Sequence, residues 1–76
     1  MNNSPKYYFL KAIEQALYLD RENSHIEFIE YIDDQDSGDE IIIVSLKNGP
    51  DKKILATGNS NGQNLKEVVK SVYGDI

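Results

Sequence analysis

Carboxylates crowd one stretch of this chain, and they are its most conspicuous candidates for chemistry. Between residues 20 and 40 stand nine acids and a single cation, Arg21, a net charge of -8: Asp20, Glu22, Glu27, Glu30, Asp33, Asp34, Asp36, Asp39 and Glu40. The other residues hold seven lysines against four acids, a net of +3, and the two parts sum to the total of -5. Clustered carboxylates can share a proton, bind a hard cation or attract a cationic surface.

Acid–base or nucleophilic catalysis finds little support in the residue types. A general acid needs an apolar pocket that raises its pKa, and Asp33 and Asp36 stand in a polar, water-exposed loop. His25 is the only histidine, cysteine is absent, and no serine has the sequence context of a nucleophile elbow. We expect His25 to be a half-exposed surface residue. The sequence therefore predicts a protein that is not an enzyme, with no catalytic residues and no cofactor.

The predicted loop over residues 33–39, the acidic loop, does not have the residue spacing of a dedicated calcium site. An EF-hand loop requires glycine at its sixth position and a bidentate glutamate at its twelfth. Counting from Asp33 places Gly38 at position six, but Val44 stands at position twelve. Clustered carboxylates of this kind hold divalent cations only loosely, at about millimolar concentration. We predict no specific metal site.

The elements that position the carboxylates follow from hydrophobic periodicity. Five periodic segments stand out: a helix over about 5–19, strands over 25–32, 40–47 and 52–57, and a helix over about 64–73. This α-β-β-β-α order predicts an α+β domain with a three-stranded antiparallel sheet and both helices packed on one face. Residues 1–4 are expected to form a disordered tail and residues 5–76 a single domain.

The ends of the two helices carry recognisable signals. Ser4 and Pro5 are typical of an N-cap followed by proline at the first helical position. Asn64 with Glu67 suggests a cap for the last helix, and Gly74 is expected to end it. The turn residues Lys47–Asp51 predict that the strands over 40–47 and 52–57 form a hairpin. The predicted core collects the apolar residues of the helices and this hairpin: Leu10, Ile13, Leu17, Ile42, Val44, Ile54, Leu65, Val68 and Val72.

The segment from His25 to Ile32 leaves two structures open. A strand would place Ile26, Phe28 and Ile32 on one side, and Ile29 and Tyr31 on the other. Ser24 followed three residues later by Glu27 also fits a capping box, which would begin a short helix. We favour the strand, because the run is rich in β-branched and aromatic residues and short for a helix.

The first helix also presents a second arc, opposite its apolar one. Helical spacing of 100° per residue is expected to place this arc in solvent, where it forms a secondary candidate contact face: Tyr7, Lys11, Glu14 and Tyr18. Exposed aromatic side chains at helical spacing can form a contact patch.

The element order, with a glycine-containing loop before the last helix, resembles the double-stranded RNA-binding domain. In that family the loop between the first two strands enters a minor groove, and a Lys-Lys-x-x-Lys pattern on the last helix meets phosphates. Here the loop, residues 33–39, holds four carboxylates, and the pattern becomes Leu65, Lys66 and Val69. The resemblance implies RNA binding, but these departures predict that no duplex is bound, since phosphate neutralisation supplies most nonspecific affinity.

The acidic stretch is therefore expected to bind the basic surface of a protein partner, as an inhibitor or regulator. The candidate residues are Glu27, Glu30, Asp33, Asp34, Asp36, Asp39 and Glu40. Alternating strand positions lie about 6.6 to 6.8 Å apart, so these charges could imitate a nucleic-acid backbone. The alternative is a nucleic-acid-binding module that uses its lysines: Lys47, Lys52, Lys53, Lys66 and Lys70.

Further expectations concern oligomeric state and location. The first strand is apolar on both faces, so its edge of the sheet could pair with a second copy. No segment approaches the roughly 20 apolar residues that a membrane span needs, and no disulfide can form without cysteine. We expect no membrane partner and a cytoplasmic protein.

Overall fold

The computed structural model describes residues 4–74, and these form six helices and strands. In chain order they are α1 (Pro5–Tyr18), α2 (Arg21–Ser24), β1 (Ile26–Asp33), β2 (Glu40–Leu46), β3 (Lys52–Leu55) and α3 (Asn61–Tyr73). Segment 25–32 is thus mainly strand, and the short-helix alternative for it is wrong. The one-turn helix α2 was not predicted, because its sequence is polar throughout. Residues 1–3 of the predicted tail lie outside the described residues.

The strands form one antiparallel sheet in the order β1-β2-β3, which confirms the predicted α+β fold. Ile29 pairs with Val44, and Ile42 pairs with Ile54. Side chains at these positions point to the same face, where they meet the apolar sides of α1 and α3. We call this the covered face of the sheet.

The core between the helices and the covered face contains most of the predicted residues. Its buried apolar members are Leu10, Ile13, Leu17, Ile26, Ile29, Tyr31, Ile42, Val44, Ile54, Ala56 and Val68. Val72 is half-buried against this cluster. Leu65 is 40% exposed, so its predicted burial is wrong. The buried stripe of α3 instead follows Asn64 and Val68, four residues apart on one side of the helix.

A β-bulge in β1 changes which side chains share a face. Ile26 pairs with Leu46 while Phe28 pairs with the adjacent Ser45, so Glu27 is an extra residue on β1. The extra residue turns Ile26 onto the covered face, where it is fully buried. The prediction that Ile26 and Phe28 share a face is therefore wrong, because a strict period of two cannot anticipate a bulge.

The helix ends follow local capping chemistry. Ser4 accepts a hydrogen bond from the Tyr7 amide at 3.2 Å and caps α1 as predicted, and Gly74 ends α3 as predicted. Helix α3 begins earlier than predicted, because Ser60 and Gln63 form the capping box: the Ser60 Oγ accepts from Gln63 N at 3.2 Å and the Gln63 Oε1 accepts from Ser60 N at 3.0 Å. The predicted Asn64 cap is wrong.

Candidate functional site

Helix α1 closes the outer edge of β1 with side chains. The Glu14 Oε2 accepts from the Ile29 amide at 2.6 Å and from the Lys11 ammonium at 3.3 Å. Lys11 also donates to the Ile29 carbonyl at 2.8 Å, and the Tyr18 hydroxyl donates to the carbonyl of Glu27. These bonds occupy edge groups that an added strand would need.

This arrangement corrects the expected orientation of the arc Tyr7, Lys11, Glu14 and Tyr18. Glu14 is only 6% exposed, and the other three side chains are half-buried. The sequence predicts a solvent-facing Glu14 because this residue lies on the helix arc opposite the apolar one. Its burial depends on contact with the backbone of β1. The same hydrogen bonds occupy the β1 edge between Glu27 and Ile29, which is where the predicted sheet-edge dimer would add a strand.

The β1–β2 loop is a defined turn that Asp34 organises. The Asp34 Oδ1 accepts from the amides of Asp36 at 3.0 Å and Ser37 at 3.3 Å, and the Asp34 carbonyl accepts from Gly38 N at 2.8 Å. Gly38 has a φ of 79°, a conformation that favours glycine. Hydrogen bonds from the Ser37 side chain and backbone, and from the Asp36 backbone, lower the pKa of Asp34. Asp34 therefore shapes the loop.

Glu40 is likewise occupied within the fold. Lys6 lies 2.9 Å from its Oε1, and the Tyr31 hydroxyl donates to the same oxygen. These hydrogen bonds, first from Tyr31 and then from Lys6, lower the pKa of Glu40. Burial and the neighbouring Glu40 raise the pKa of Tyr31. The Lys6–Glu40 ion pair ties α1 to β2, so Glu40 is a structural residue.

The other predicted acids present their carboxylates to solvent. Asp39 lies at 3.5 Å from the Thr57 hydroxyl, and Glu27 at 3.5 Å from the Ser45 hydroxyl. Across residues 4–74, no hydrogen bond or ion pair reaches the carboxylates of Glu30, Asp33 and Asp36. Asp33 at the end of β1 and Asp36 and Asp39 in the loop that follows are thus grouped, and we call them the acidic end, while Glu27 and Glu30 lie further back along β1.

Lysines gather at the other side of the sheet. A shallow groove between β3 and α3 is lined by Lys52, Lys53, Glu67 and Lys70, and Lys66 lies beside a neighbouring depression. Lys52 and Lys53 pair with Val44 and Ile43, well along β2 from the acidic end. The lysines that line this groove, Lys52, Lys53 and Lys70, are thus separated in space from the acidic end.

The structure also reveals a surface that the sequence argument missed. The second face of the sheet carries Phe28, Ile32 and Leu55, which are 43%, 38% and 68% exposed, together with the half-buried Ile41 and Ile43. Its signal was present in the continuous apolar run of β2, which places apolar residues on both sides of the strand. We call this the open face.

Two kinds of site are not found in the part of the chain that the structure describes. No three His, Cys, Asp or Glu side chains within it are placed to hold a metal ion. No helix in the same residues is long and apolar enough to cross a membrane.

Comparison with known proteins gives this chain no relative: protein-family models, curated proteins and solved structures each yield no significant match.

Proposed function

We propose that this protein is a non-catalytic binding module whose acidic end engages the basic surface of a partner protein, which it inhibits or regulates. The observation that supports this most is the grouping of Asp33, at the end of β1, with Asp36 and Asp39 of the loop whose shape Asp34 fixes. An ordered loop loses little conformational entropy on binding, so its charges act from a prepared position.

The placement of the remaining charges favours the same function. Lys6 and Lys11 are engaged by Glu40 and Glu14, and the lysines of β3 and α3 lie along the far edge of the sheet. The acidic end therefore keeps its local negative potential. Such a potential accelerates encounter with a cationic surface and repels phosphate backbones. A partner surface that normally binds nucleic acid is cationic in this way.

The test compares two variants of equal charge. Asp33→Asn/Asp36→Asn/Asp39→Asn removes the acidic end, and Glu22→Gln/Asp51→Asn/Glu67→Gln removes three exposed acids elsewhere. Each changes the net charge from -5 to -2. Each variant and the wild type serve as bait for affinity capture and quantitative mass spectrometry. We expect a partner that the wild type and the control retain and the acidic-end variant loses.

Kinetics with the captured partner then separate steering from contact. The association rate of the wild type should fall as salt rises from about 50 to 300 mM, and the acidic-end variant should associate about tenfold more slowly at the lower salt. Dissociation should change less. Equal association rates for the acidic-end variant and the control would contradict the proposal.

The second candidate function, nucleic-acid binding, draws on the lysine-lined groove between β3 and α3. Duplex RNA titrated against fluorescent protein at two salt concentrations tests it. We expect no micromolar binding at physiological salt, because the acidic end would oppose the duplex. Tight binding that weakens steeply with salt, and that Lys52→Gln/Lys53→Gln removes, would favour this second function instead.

A further inference from the structure

The open face is apolar in its centre and carries one charged residue at each edge, Glu30 on β1 and Lys53 on β3. The strand register places its side chains in rows across the sheet. One row runs Glu30, Ile43, Lys53 from β1 to β3, and the next runs Ile32, Ile41, Leu55. An acid therefore stands at one edge of a row and a base at the other, with isoleucine between them.

An exposed apolar face of this kind is typical of an interaction surface. The apolar side chains of α1 and α3 pack against the opposite, covered face, and α3 borders the open face only at its β3 edge, beside Lys53 and Leu55. The face has the pattern of one inner layer of a β-sandwich, in which two sheets bury their apolar sides about 10 Å apart.

We propose that two copies of this chain pack their open faces together in a two-fold dimer whose axis runs parallel to β2. That rotation places β1 of one copy over β3 of the other. Each Glu30 then faces Lys53 of the second copy, and each Ile32 faces Leu55 of the second copy. Ile43 and Ile41 lie near the axis and meet their own equivalents. Both of these rows are thus complementary to themselves, as a two-fold interface requires.

Charge selects this axis over the other one that stacks the faces. A two-fold axis across the strands would place β1 over β1 and bring Glu30 towards its equivalent. Like charges in an interface oppose association, and removal from water strengthens their repulsion. With the axis parallel to β2, each Glu30 meets Lys53 of the second copy instead.

The parallel axis has a consequence for the rest of the surface. Both acidic ends come to the same end of the dimer, where they lie side by side. These loops remain in water, so salt screens their mutual repulsion over a distance of about 8 Å at physiological ionic strength. The face spans only three strands, so the dimer buries less surface area than a standard protein–protein interface. We therefore expect a dissociation constant in the micromolar range.

Sedimentation velocity from about 1 to 500 µM protein tests the dimer. We expect the wild type to pass from monomer to dimer across this range. Glu30→Lys and Lys53→Glu each place like charges together, so each should raise the dissociation constant about tenfold or more. The double variant Glu30→Lys/Lys53→Glu exchanges the charges and should return the dissociation constant to within about threefold of the wild type.

Two apolar substitutions complete the set. Ile43→Asp lies near the axis and should abolish dimerisation. Leu19→Asp should not, because Leu19 is 91% exposed at the end of α1, away from the sheet. Circular dichroism shows whether Ile43→Asp still folds, and the charge exchange tests the proposal if it does not. The dimer would be overturned by a wild type that stays monomeric at 500 µM. It would also be overturned by a double variant that dimerises no more tightly than the single variants Glu30→Lys and Lys53→Glu.

Discussion

The covered and open faces of the sheet are built from the same residue types but have different neighbours. On β2, Ile42 and Val44 are fully buried beneath the helices, while Ile41 and Ile43 are half-buried on the other side. Apolar content alone does not determine which face the helices cover. Polar contacts help to determine which face is covered, because the Lys6–Glu40 ion pair and the Glu14–Ile29 hydrogen bond hold α1 on one side of the sheet.

Matched substitutions on neighbouring residues would break this comparison most directly. Ile42→Ala removes buried methylene groups from the covered face and should cost about 2 to 4 kcal/mol of unfolding free energy. Ile43→Ala makes the same change on the open face and should cost about 1 kcal/mol or less in the monomer. Denaturant unfolding at about 1 µM protein measures both. Equal losses would mean that the two faces are equally protected.

The polar anchor of the covered face gives the next largest effect. Glu14→Ala leaves the Ile29 amide without its acceptor and Lys11 without its ion-pair partner. We expect a loss of about 2 to 3 kcal/mol, since an unsatisfied buried donor carries its desolvation cost. Glu14→Gln keeps an acceptor and should lose less. The exposed control Glu22→Ala should be close to neutral, and a loss as large as that of Glu14→Ala would count against the anchor.

A buried amide on α3 offers a gain rather than a loss. Asn64 is fully buried, and within the described residues its side-chain oxygen and nitrogen have no hydrogen-bond partner. Asn64→Leu should therefore raise the unfolding free energy, by about 1 kcal/mol. Asn64→Asp should lower it, because it buries a charge in the same space. Thermal and denaturant unfolding would show this; a destabilising Asn64→Leu would mean that the amide makes a necessary contact.

The smallest expected effect concerns pH and again belongs to the covered side. Glu40 has a lowered pKa in the folded protein, so its contribution to stability is present above its ordinary pKa of 4.5 and is lost as pH falls through the lowered value. Tyr31→Phe removes the largest cause of that shift and should flatten the acid limb of the stability curve. Tyr7→Phe is the control. An unchanged acid limb for Tyr31→Phe would show that Glu40 does not depend on this hydroxyl.

Tyr31 should also affect the alkaline limb of the curve of stability against pH. Its pKa is raised by burial and by Glu40, so the folded state favours the neutral phenol. Its contribution is present below the ordinary pKa of 10.0 and is lost at higher pH, as the tyrosine of the unfolded chain ionises first. The wild type should lose stability above pH 10 more steeply than Tyr31→Phe.

Much of the fold could be predicted because its signals are local. Ser4 and Pro5 begin α1, Gly74 ends α3, and the alternation around the Lys47–Asp51 turn predicts a hairpin. The predictions failed where a residue depends on distant structure. The bulge at Glu27 moves Ile26 to the covered face, and Glu14 is buried because α1 meets the β1 backbone.

The candidate site shows the same division. Composition was enough to predict that acids cluster between β1 and β2. Assigning Asp34 to the turn and Glu40 to the Lys6 ion pair required the folded geometry. Nothing in the sequence distinguishes these two acids from solvent-facing ones such as Asp33 and Asp36. The open face was hidden for a related reason, since a strand that is apolar on both sides does not show which side will be covered.

The central position of β2 has a consequence for protein synthesis. The uncharged run Ile41–Leu46 is rich in β-branched residues and contains no proline, which is the composition of aggregation-prone segments. In the folded chain β1 pairs along one edge of this run and β3 pairs with Ile41–Val44 on the other. These outer strands carry acids on β1 and lysines on β3. During translation β1 and β2 leave the ribosome before β3. A nascent chain that has not reached Lys52 therefore exposes its most aggregation-prone edge and is the form that most needs a chaperone.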